Sequence, residues 1–438
     1  MPNGVKSNLN LPPIGKSQAL YQRAKRVIPS VTQTLAKGPT QYVKGVAPLY
    51  LERGKGCRVW DADGNEYLDY NMGIGPISLG YCYPRVDEAI KAQLEKGITF
   101  SLMHPLEVEV AELITSIVPN AEQVRYSKAG CDVTTAAIRL ARAFTGRDKV
   151  LACGYHGWHD WTIGTTDRNR GIPKAVRDLT SSFSYNDIDS VAAQLDNDTA
   201  AVILEPMLFE FPQHDFLAKV RELCTQRGAL LIFDEMWTGF RLALGGAQER
   251  FGVKADLATF SKAVANGMPI SILTGRADVM SLLEKDVFFY TTFGGETLSL
   301  AACKATIEEL RERNVPAVLQ RNGARLIDGY NELANEFSMD YTKCIGMGAR
   351  SMVTFAAGAG NALEVKSLLQ QELLRRGILW QGMHVLSYSH TSEDIDCTLS
   401  AYREVLPILK KAITEGSPAK YLKGEPVQPT FRTVTGKR

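Results

Sequence analysis

Lys262 stands in the run Asp-Leu-Ala-Thr-Phe-Ser-Lys-Ala-Val-Ala-Asn-Gly-Met-Pro, residues 256–269, twenty-eight residues after Asp234 in Leu-Leu-Ile-Phe-Asp-Glu. Each follows a short apolar run that reads as a buried parallel strand. A carboxylate and an amine at the carboxyl ends of neighbouring strands meet in one crevice, the place where open α/β sheets bind ligands. An aldehyde cofactor with a basic ring nitrogen needs that pair, the lysine for a Schiff base and the acid for the ring. The pair therefore points to pyridoxal phosphate chemistry.

Three further segments end or follow strands in the same way. In Tyr-Ser-Lys-Ala-Gly-Cys-Asp-Val-Thr-Thr, residues 126–135, a strand stops, a glycine permits close approach and a helix begins. The free amides of such a helix start favour an anion, so Gly130 and Cys131 are a candidate phosphate cradle. An ordinary strand–helix turn with Asp132 as a first-turn acid would leave the same string. In Gly-Tyr-His-Gly-Trp-His-Asp-Trp, residues 154–161, Tyr155 is placed to stack on a flat ring. His156 and His159 could supply two metal ligands, but no third ligand is evident and no helix aligns them, so no metal is expected. In Ala-Ala-Val-Ile-Leu-Glu-Pro, residues 200–206, Glu205 also terminates an apolar strand. One strand-terminal acid is commonplace, whereas Glu205, Asp234 and Lys262 ending three buried strands are a site.

Leu-Leu-Ile-Phe-Asp-Glu is also compatible with a magnesium-binding strand of a nucleotide hydrolase. That reading needs a Gly-x-x-x-x-Gly-Lys-Ser/Thr loop. The nearest string, Asn-Leu-Pro-Pro-Ile-Gly-Lys-Ser at 10–17, lacks the first glycine and follows no strand.

The elements that must position these residues follow from periodicity. Strands are expected at 123–127, 149–153, 200–204, 229–233, 257–260 and 270–274, and helices at 132–144, 187–195, 213–227 and 297–313. This alternation predicts a mostly parallel sheet with helices on both faces. Before it come a helix over 16–30, a β-hairpin around Asp-Gly-Asn within 57–70, and helices at 84–96 and 105–118. After it come helices near 318–336, 361–376 and 393–415, with short strands around 349–355 and 378–380. The division expected is an N-terminal segment (1–80) joining the small domain, a large domain (81–318), a small α+β domain (319–416) and a polar tail (417–438) on the surface. The 438 residues suffice for such cores, and 45% apolar with 22% charged residues is a globular mix. A net charge of +2 gives nucleic acid or an anionic membrane no electrostatic support. No run approaches a membrane span and the N-terminus lacks a signal-peptide core, so a cytoplasmic location is expected. The eight cysteines include no Cys-x-x-Cys pair and read as free thiols.

Taken together, these strings resemble the class III, fold-type I, pyridoxal phosphate-dependent aminotransferases, and within them the glutamate-1-semialdehyde aminomutase group. The resemblance runs over roughly residues 20–415. It is carried by Arg-Val-Ile-Pro at 26–29, Asp-Ala-Asp-Gly-Asn-Glu-Tyr-Leu-Asp-Tyr at 61–70, the helix string from Ala137, Asp-Glu-Met-Trp-Thr-Gly-Phe-Arg at 234–241 and His-Thr-Ser-Glu-Asp-Ile-Asp at 390–396. It implies a large domain with a mostly parallel seven-stranded sheet and a smaller α+β domain. It also implies roles. Lys262 would bond the cofactor aldehyde and then shuttle the proton, and Asp234 would keep the pyridine nitrogen protonated. Gly130 and Cys131 would hold the phosphate through backbone amides. Tyr155 and Met236 would sandwich the ring, with Glu205 near its hydroxyl. Thr297 would reach the phosphate of a neighbouring subunit, which implies a homodimer. The partners implied are a small amino donor and a carbonyl acceptor.

The chain departs from the family in instructive places. The phosphate turn reads Lys-Ala-Gly-Cys-Asp-Val at 128–133, where the family has Asn-Ser-Gly-Thr-Glu-Ala, so hydroxyls are lost at Ala129 and Cys131. Ala36 stands where the aminomutases carry a substrate-binding arginine, and the adjacent Lys37 is a point charge rather than a bidentate fork. Ile74 replaces a family tryptophan, and the segment before His390 is shorter and lacks a glutamate. These losses argue against glutamate semialdehyde as substrate. The variant strings look like those of aminotransferases acting on sugar-type carbonyls, which implies glutamate as donor and a terminal sugar aldehyde as acceptor.

Overall fold

The computed structural model describes residues 10–429 of the chain. It divides into two compact units, one spanning residues 84–316 and one assembled from residues 10–83 and 317–429.

The 84–316 unit is built on a seven-stranded sheet: β4 (Gln123–Ser127), β5 (Lys149–Cys153), β6 (Thr180–Ser182), β7 (Thr199–Leu204), β8 (Leu230–Asp234), β9 (Leu257–Phe260) and β10 (Ser271–Gly275). Their order is β4-β10-β9-β8-β7-β5-β6. Only β10 opposes its neighbours, pairing antiparallel with both β4 and β9. The reason lies in the connection: residues 261–270 form a tight turn, too short for the crossover that a parallel neighbour requires. Every residue of β7, β8, β9 and β10 is buried. This is why these strands read as continuous apolar runs rather than alternating ones. The helix Gly130–Thr145 lays Val133, Ala137, Leu140 and Ala141 on the sheet against Val150, Ala201, Ile203, Ile232 and Leu273. Each fully buried aliphatic side chain of this kind contributes about 1.5–3 kcal/mol.

The mainly parallel sheet and flanking helices agree with the fold class expected from the sequence, and most strand limits fall within a residue of expectation. β6 was not anticipated. Its Thr-Ser-Ser sequence has no apolar run and its burial is partial. The helix expected at 187–195 is shorter, Ile188–Ala192.

In the other unit, β1 (Leu51–Lys55), β2 (Arg58–Asp61) and β3 (Glu66–Asp69) form an antiparallel meander. The β2–β3 turn is held by the Asp61 carboxylate, which accepts from the amides of Asp63 (3.0 Å) and Asn65 (2.8 Å), with Gly64 at φ +89 supplying the left-handed residue. β3 then pairs in parallel with β13 (Ile378–Leu379), matching Leu68 to Ile378. A second, antiparallel sheet contains β11 (Thr342–Met347), β12 (Arg350–Phe355) and β14 (Met383–Val385). Helices Gly15–Val27, Val315–Glu336, Ala362–Leu374 and Ser392–Thr414 lie close to their expected positions. The described part of the segment from Ser417 lies largely on the surface, as expected, and is tied down at points: Val427 is buried, with its amide on Ser367 Oγ at 2.9 Å, and Lys44 pairs with Glu425. Residues 430–438 of that tail lie outside the described residues, as does the N-terminal stretch before residue 10. No described helix is long and apolar enough to cross a membrane.

Candidate active site

Three neighbouring strands deliver three ionisable side chains to one end of the sheet. β7, β8 and β9 run parallel and adjacent. Glu205 follows the last residue of β7, Asp234 is the last residue of β8, and Lys262 comes two residues after β9. Leu204 is level with Phe233, and Asp234 with Thr259. The strand-end reading of the sequence is therefore realised in space, at the carboxyl edge where α/β sheets hold ligands.

Asp234 is 2% exposed and each of its carboxylate oxygens accepts a hydrogen bond. Oδ2 accepts from His156 Nδ1 at 2.7 Å, and Oδ1 accepts from the Met236 amide at 3.1 Å. A buried carboxylate is tolerated only when paired and hydrogen-bonded in this manner. The histidine pair considered as a metal site is thereby split, because His156 serves Asp234. His159 turns instead to Thr135 Oγ1 at 2.7 Å, which also accepts from Trp161 Nε1 at 2.8 Å. Among the described residues, one grouping of metal-ligating types occurs, Cys131, Asp132 and His159, and His156 is not in it. The Asp132 carboxylate of that group already accepts from Ser127 Oγ and the Ala129 amide.

The loop after β5 brings Tyr155 to the same edge. Gly154 has φ +108, and a Cβ there would lie 3.3 Å from Glu205 Oε1, so this glycine lets the loop pass over Glu205. Tyr155 itself is 47% exposed. Burial, with the Cys131 thiol second, holds its phenol above the usual value. Gly157 packs so closely on Cys131 that an added Cβ would sit 2.5 Å from the Cys131 Cβ.

Gly130 and Cys131 open the sixteen-residue helix Gly130–Thr145. Their amides fall in the first turn, where a helix leaves its N–H groups without intrahelical partners. Ala129, as N-cap, supplies no side-chain bond, and Asp132 covers the Ala129 amide instead at 2.9 Å. A Cβ on Gly130 would lie 2.9 Å from Met236 Sδ, so Met236 packs on the start of this helix. Burial raises the Cys131 thiol above its ordinary value, and Asp132 adds to this. Lys128, in the same turn, pairs with Glu296 at 2.9 Å, and Glu296 caps the helix that begins at Thr297. Thr297 is buried in the single chain, with its hydroxyl donating to the carbonyls of Gly97 and Ile98 at 3.0 and 2.9 Å.

Sequence reasoning gave no role to Trp237 and did not foresee His156 as the partner of Asp234. Lys262 Nζ lies 3.8 Å from the centroid of the Trp237 ring, which is 8% exposed. The turn carrying Trp237 is clamped to β9: the Glu235 amide donates to Thr259 O at 2.9 Å, and Gly239 lies against Phe260 where a Cβ would meet the ring at 2.4 Å. The Glu235 carboxylate accepts from Thr238 Oγ1 and from the amides of Ala247 and Gln248. Burial nonetheless pushes it up to about 7. The only available signal for Trp237 was its place three residues after Asp234.

The chain is similar to known proteins along most of its length. A family model described as aminotransferase class-III matches residues 41–387. The chain is 35% identical over 413 residues to the 3-aminobutyryl-CoA aminotransferase of Cloacimonas acidaminovorans (strain Evry), covering 91% of this chain and 99% of that protein. It is 37% identical over 424 residues to the glutamate-1-semialdehyde 2,1-aminomutase of Alkaliphilus oremlandii (strain OhILAs), covering 90% and 99%. Among solved structures, the FumI protein of Sphingopyxis sp. MTA144 in its PLP internal aldimine form superposes with a TM-score of 0.85 at 28% identity, over 93% of this chain and 99% of that one.

Proposed function

The chain belongs to the class III aminotransferases, and from that premise we propose that it moves an amino group between two separate substrates, from an amino acid donor to a carbonyl acceptor. It is an enzyme, and its cofactor is pyridoxal 5'-phosphate. The observation that carries the reading is the convergence of Glu205, Asp234 and Lys262 on one edge of three adjacent parallel strands, with Asp234 held by His156 at 2.7 Å.

The residues present fit the cofactor. Gly130 leaves no side chain over the first amides of its helix, and the donor set of lysine, buried carboxylate and helix start matches aldehyde, ring nitrogen and phosphate in turn. When bound, pyridoxal 5'-phosphate supplies an aldehyde that takes up an amino group and a ring that accepts electrons from the substrate carbon. Lys262 holds the aldehyde end and moves the proton. Asp234, fixed in orientation by His156 and the Met236 amide, holds a proton on the ring nitrogen. The amides of Gly130 and Cys131 receive the phosphate, Tyr155 and Met236 flank the ring, and Glu205 stands near its hydroxyl. A homodimer and a cytoplasmic location complete the reading.

For the acceptor, Ala36 and Ile74 replace the arginine and tryptophan of the aminomutases, which removes a clamp for a small acid. The reading favoured is glutamate as donor and a sugar-type aldehyde as acceptor, such as the 8-oxo form of Kdo on the way to lipopolysaccharide. Glutamate alone should convert the bound cofactor to its amine form, with a change in its absorbance and release of 2-oxoglutarate. No conversion with any of a panel of amino acids would count against the intermolecular reading. The second reading, a glutamate-1-semialdehyde aminomutase, draws on the 37% identity to such an enzyme. It requires product from glutamate-1-semialdehyde with no donor added.

A further inference from the structure

The contact between Lys262 and Trp237 has no counterpart among the roles assigned so far. The ammonium lies 3.8 Å from the ring centroid, well inside the range of about 6 Å over which an aromatic face attracts a cation. Both ends of the contact are pinned. Lys262 has φ +47, a left-handed conformation that side chains rarely adopt, and the preceding Ser261 is tied by its Oγ to Ile270 O at 2.6 Å. Trp237 rides on the turn clamped to β9 through Glu235, Gly239 and the edge-to-face pair Phe240–Phe260, whose centroids are 5.7 Å apart. The ring carries a second cation, the buried Arg241 guanidinium, at 5.4 Å.

We propose that Trp237 is a positioning residue for proton transfer, seating the side chain of Lys262 whenever that amine is free and charged. The inference rests on the aminotransferase reading. In that chemistry a proton passes between the Lys262 nitrogen and the substrate carbon, so the side chain alternates between ammonium and amine. An indole face attracts the ammonium, offers no site that takes a proton, and loses its hold once the amine is neutral. Trp237 thus fixes where the charged lysine waits and leaves the neutral one mobile. The other ionisable groups at this end of the sheet are Glu205, Asp234 and His156, with Glu235 and Arg241 on the Trp237 turn. All of them are unchanged in the variants below, so a shift reports the ring.

The test uses cofactor-free full-length protein. The rate at which pyridoxal 5'-phosphate is captured on Lys262 and fixed by borohydride is measured across pH for the wild type, Trp237→Phe and Trp237→Leu. Removing a ring that favours the ammonium should move the midpoint of the profile to lower pH, by about 0.4–1.5 units for leucine and by less for phenylalanine. Steady-state kcat should fall in the same order. A purely structural role would lower capture without moving the midpoint. Coincident midpoints, or equal shifts in both variants, would overturn the proposal, and Trp237→Phe carries the test if the leucine variant does not fold. A wild type that captures nothing on Lys262 would instead overturn the aminotransferase reading itself.

Discussion

The strand edge of the 84–316 unit and the loops Ser30–Ala36 and Met72–Gly75 of the other unit solve the problem of holding side chains in opposite ways. At the strand edge, Asp234 is fixed by two named hydrogen bonds and Lys262 by an aromatic face, on strands buried along their whole length. In the loops, the backbone itself carries the unusual geometry: Ser30, Val31, Met72 and Ile74 all have positive φ, and Ile74, at +69, is β-branched. Such a residue in the left-handed region costs on the order of 1–3 kcal/mol and persists where its surroundings over-determine it. The same loops hold Ala36 and Ile74, the departures from the aminomutase pattern. The comparison teaches that one unit holds its ionisable side chains on buried strands with named partners, while the other carries strain in the backbone of its loops.

The harshest way to break this contrast is Lys262→Ala, which should cost at least about a thousandfold in kcat with the circular dichroism spectrum unchanged. A folded variant with full turnover would remove the strand edge from the chemistry. Next comes Asp234→Asn, which keeps the shape but not the charge and should cost about a hundredfold or more, read as kcat with the amino donor saturating. Gly130→Ala is a packing test of the same edge. Its Cβ would overlap Met236 Sδ, so stability should drop by about 1–3 kcal/mol in denaturant melts, and Gly130→Ala/Met236→Ala should recover part of it.

Individual buried groups in the two units also respond to acid with opposite signs. Burial lowers His384 to about 3 and His390 to about 4. Between pH 6.5 and 4 the unfolded chain therefore binds protons that these folded histidines refuse, and stability falls as pH falls. Asp69, raised to about 6 by burial, opposes this within the same unit, but one group offsets only one of the two. Glu235, raised to about 7, acts the other way: between about pH 4.5 and 7 the folded group keeps a proton that the unfolded one releases, so stability falls as pH rises. His384→Gln should flatten the acid-side loss and Glu235→Gln the loss towards neutrality, both read as denaturant midpoints against pH. Smallest is Ile74→Asn. Asparagine tolerates positive φ, so stability should rise by up to about 1 kcal/mol while acceptor preference changes. A change in stability with no change in preference would detach Ile74 from substrate choice.

Much of the strand edge was legible in the sequence because three polar residues interrupt apolar runs at their ends, and a fully buried strand announces itself by composition. Limits for β4, β5 and β9 could be read to the residue. The antiparallel direction of β10 needed the length of the 261–270 connection, which apolarity alone does not express. β6 and β1 escaped because Thr-Ser-Ser and Leu-Glu-Arg-Gly-Lys carry no apolar run. The His156–Asp234 bond joins residues 78 positions apart, and the spacing of His156 from His159 gives no sign of it. No local pattern encodes a partner that only the strand order brings near.

The parallel pairing of β3 with β13 has a consequence for how the protein is made. Leu68 leaves the ribosome long before Ile378, its partner in the sheet. At about 5–20 residues per second, the β2–β3 hairpin waits roughly 15–60 s with one side unpaired while the whole 84–316 unit is synthesised. During that wait the unpaired side of β3 is an open template for strands of other nascent chains. A chaperone that covers it, or a slow stretch of translation after residue 316 that lets the inserted unit fold first, would decide how much of the chain reaches its final form.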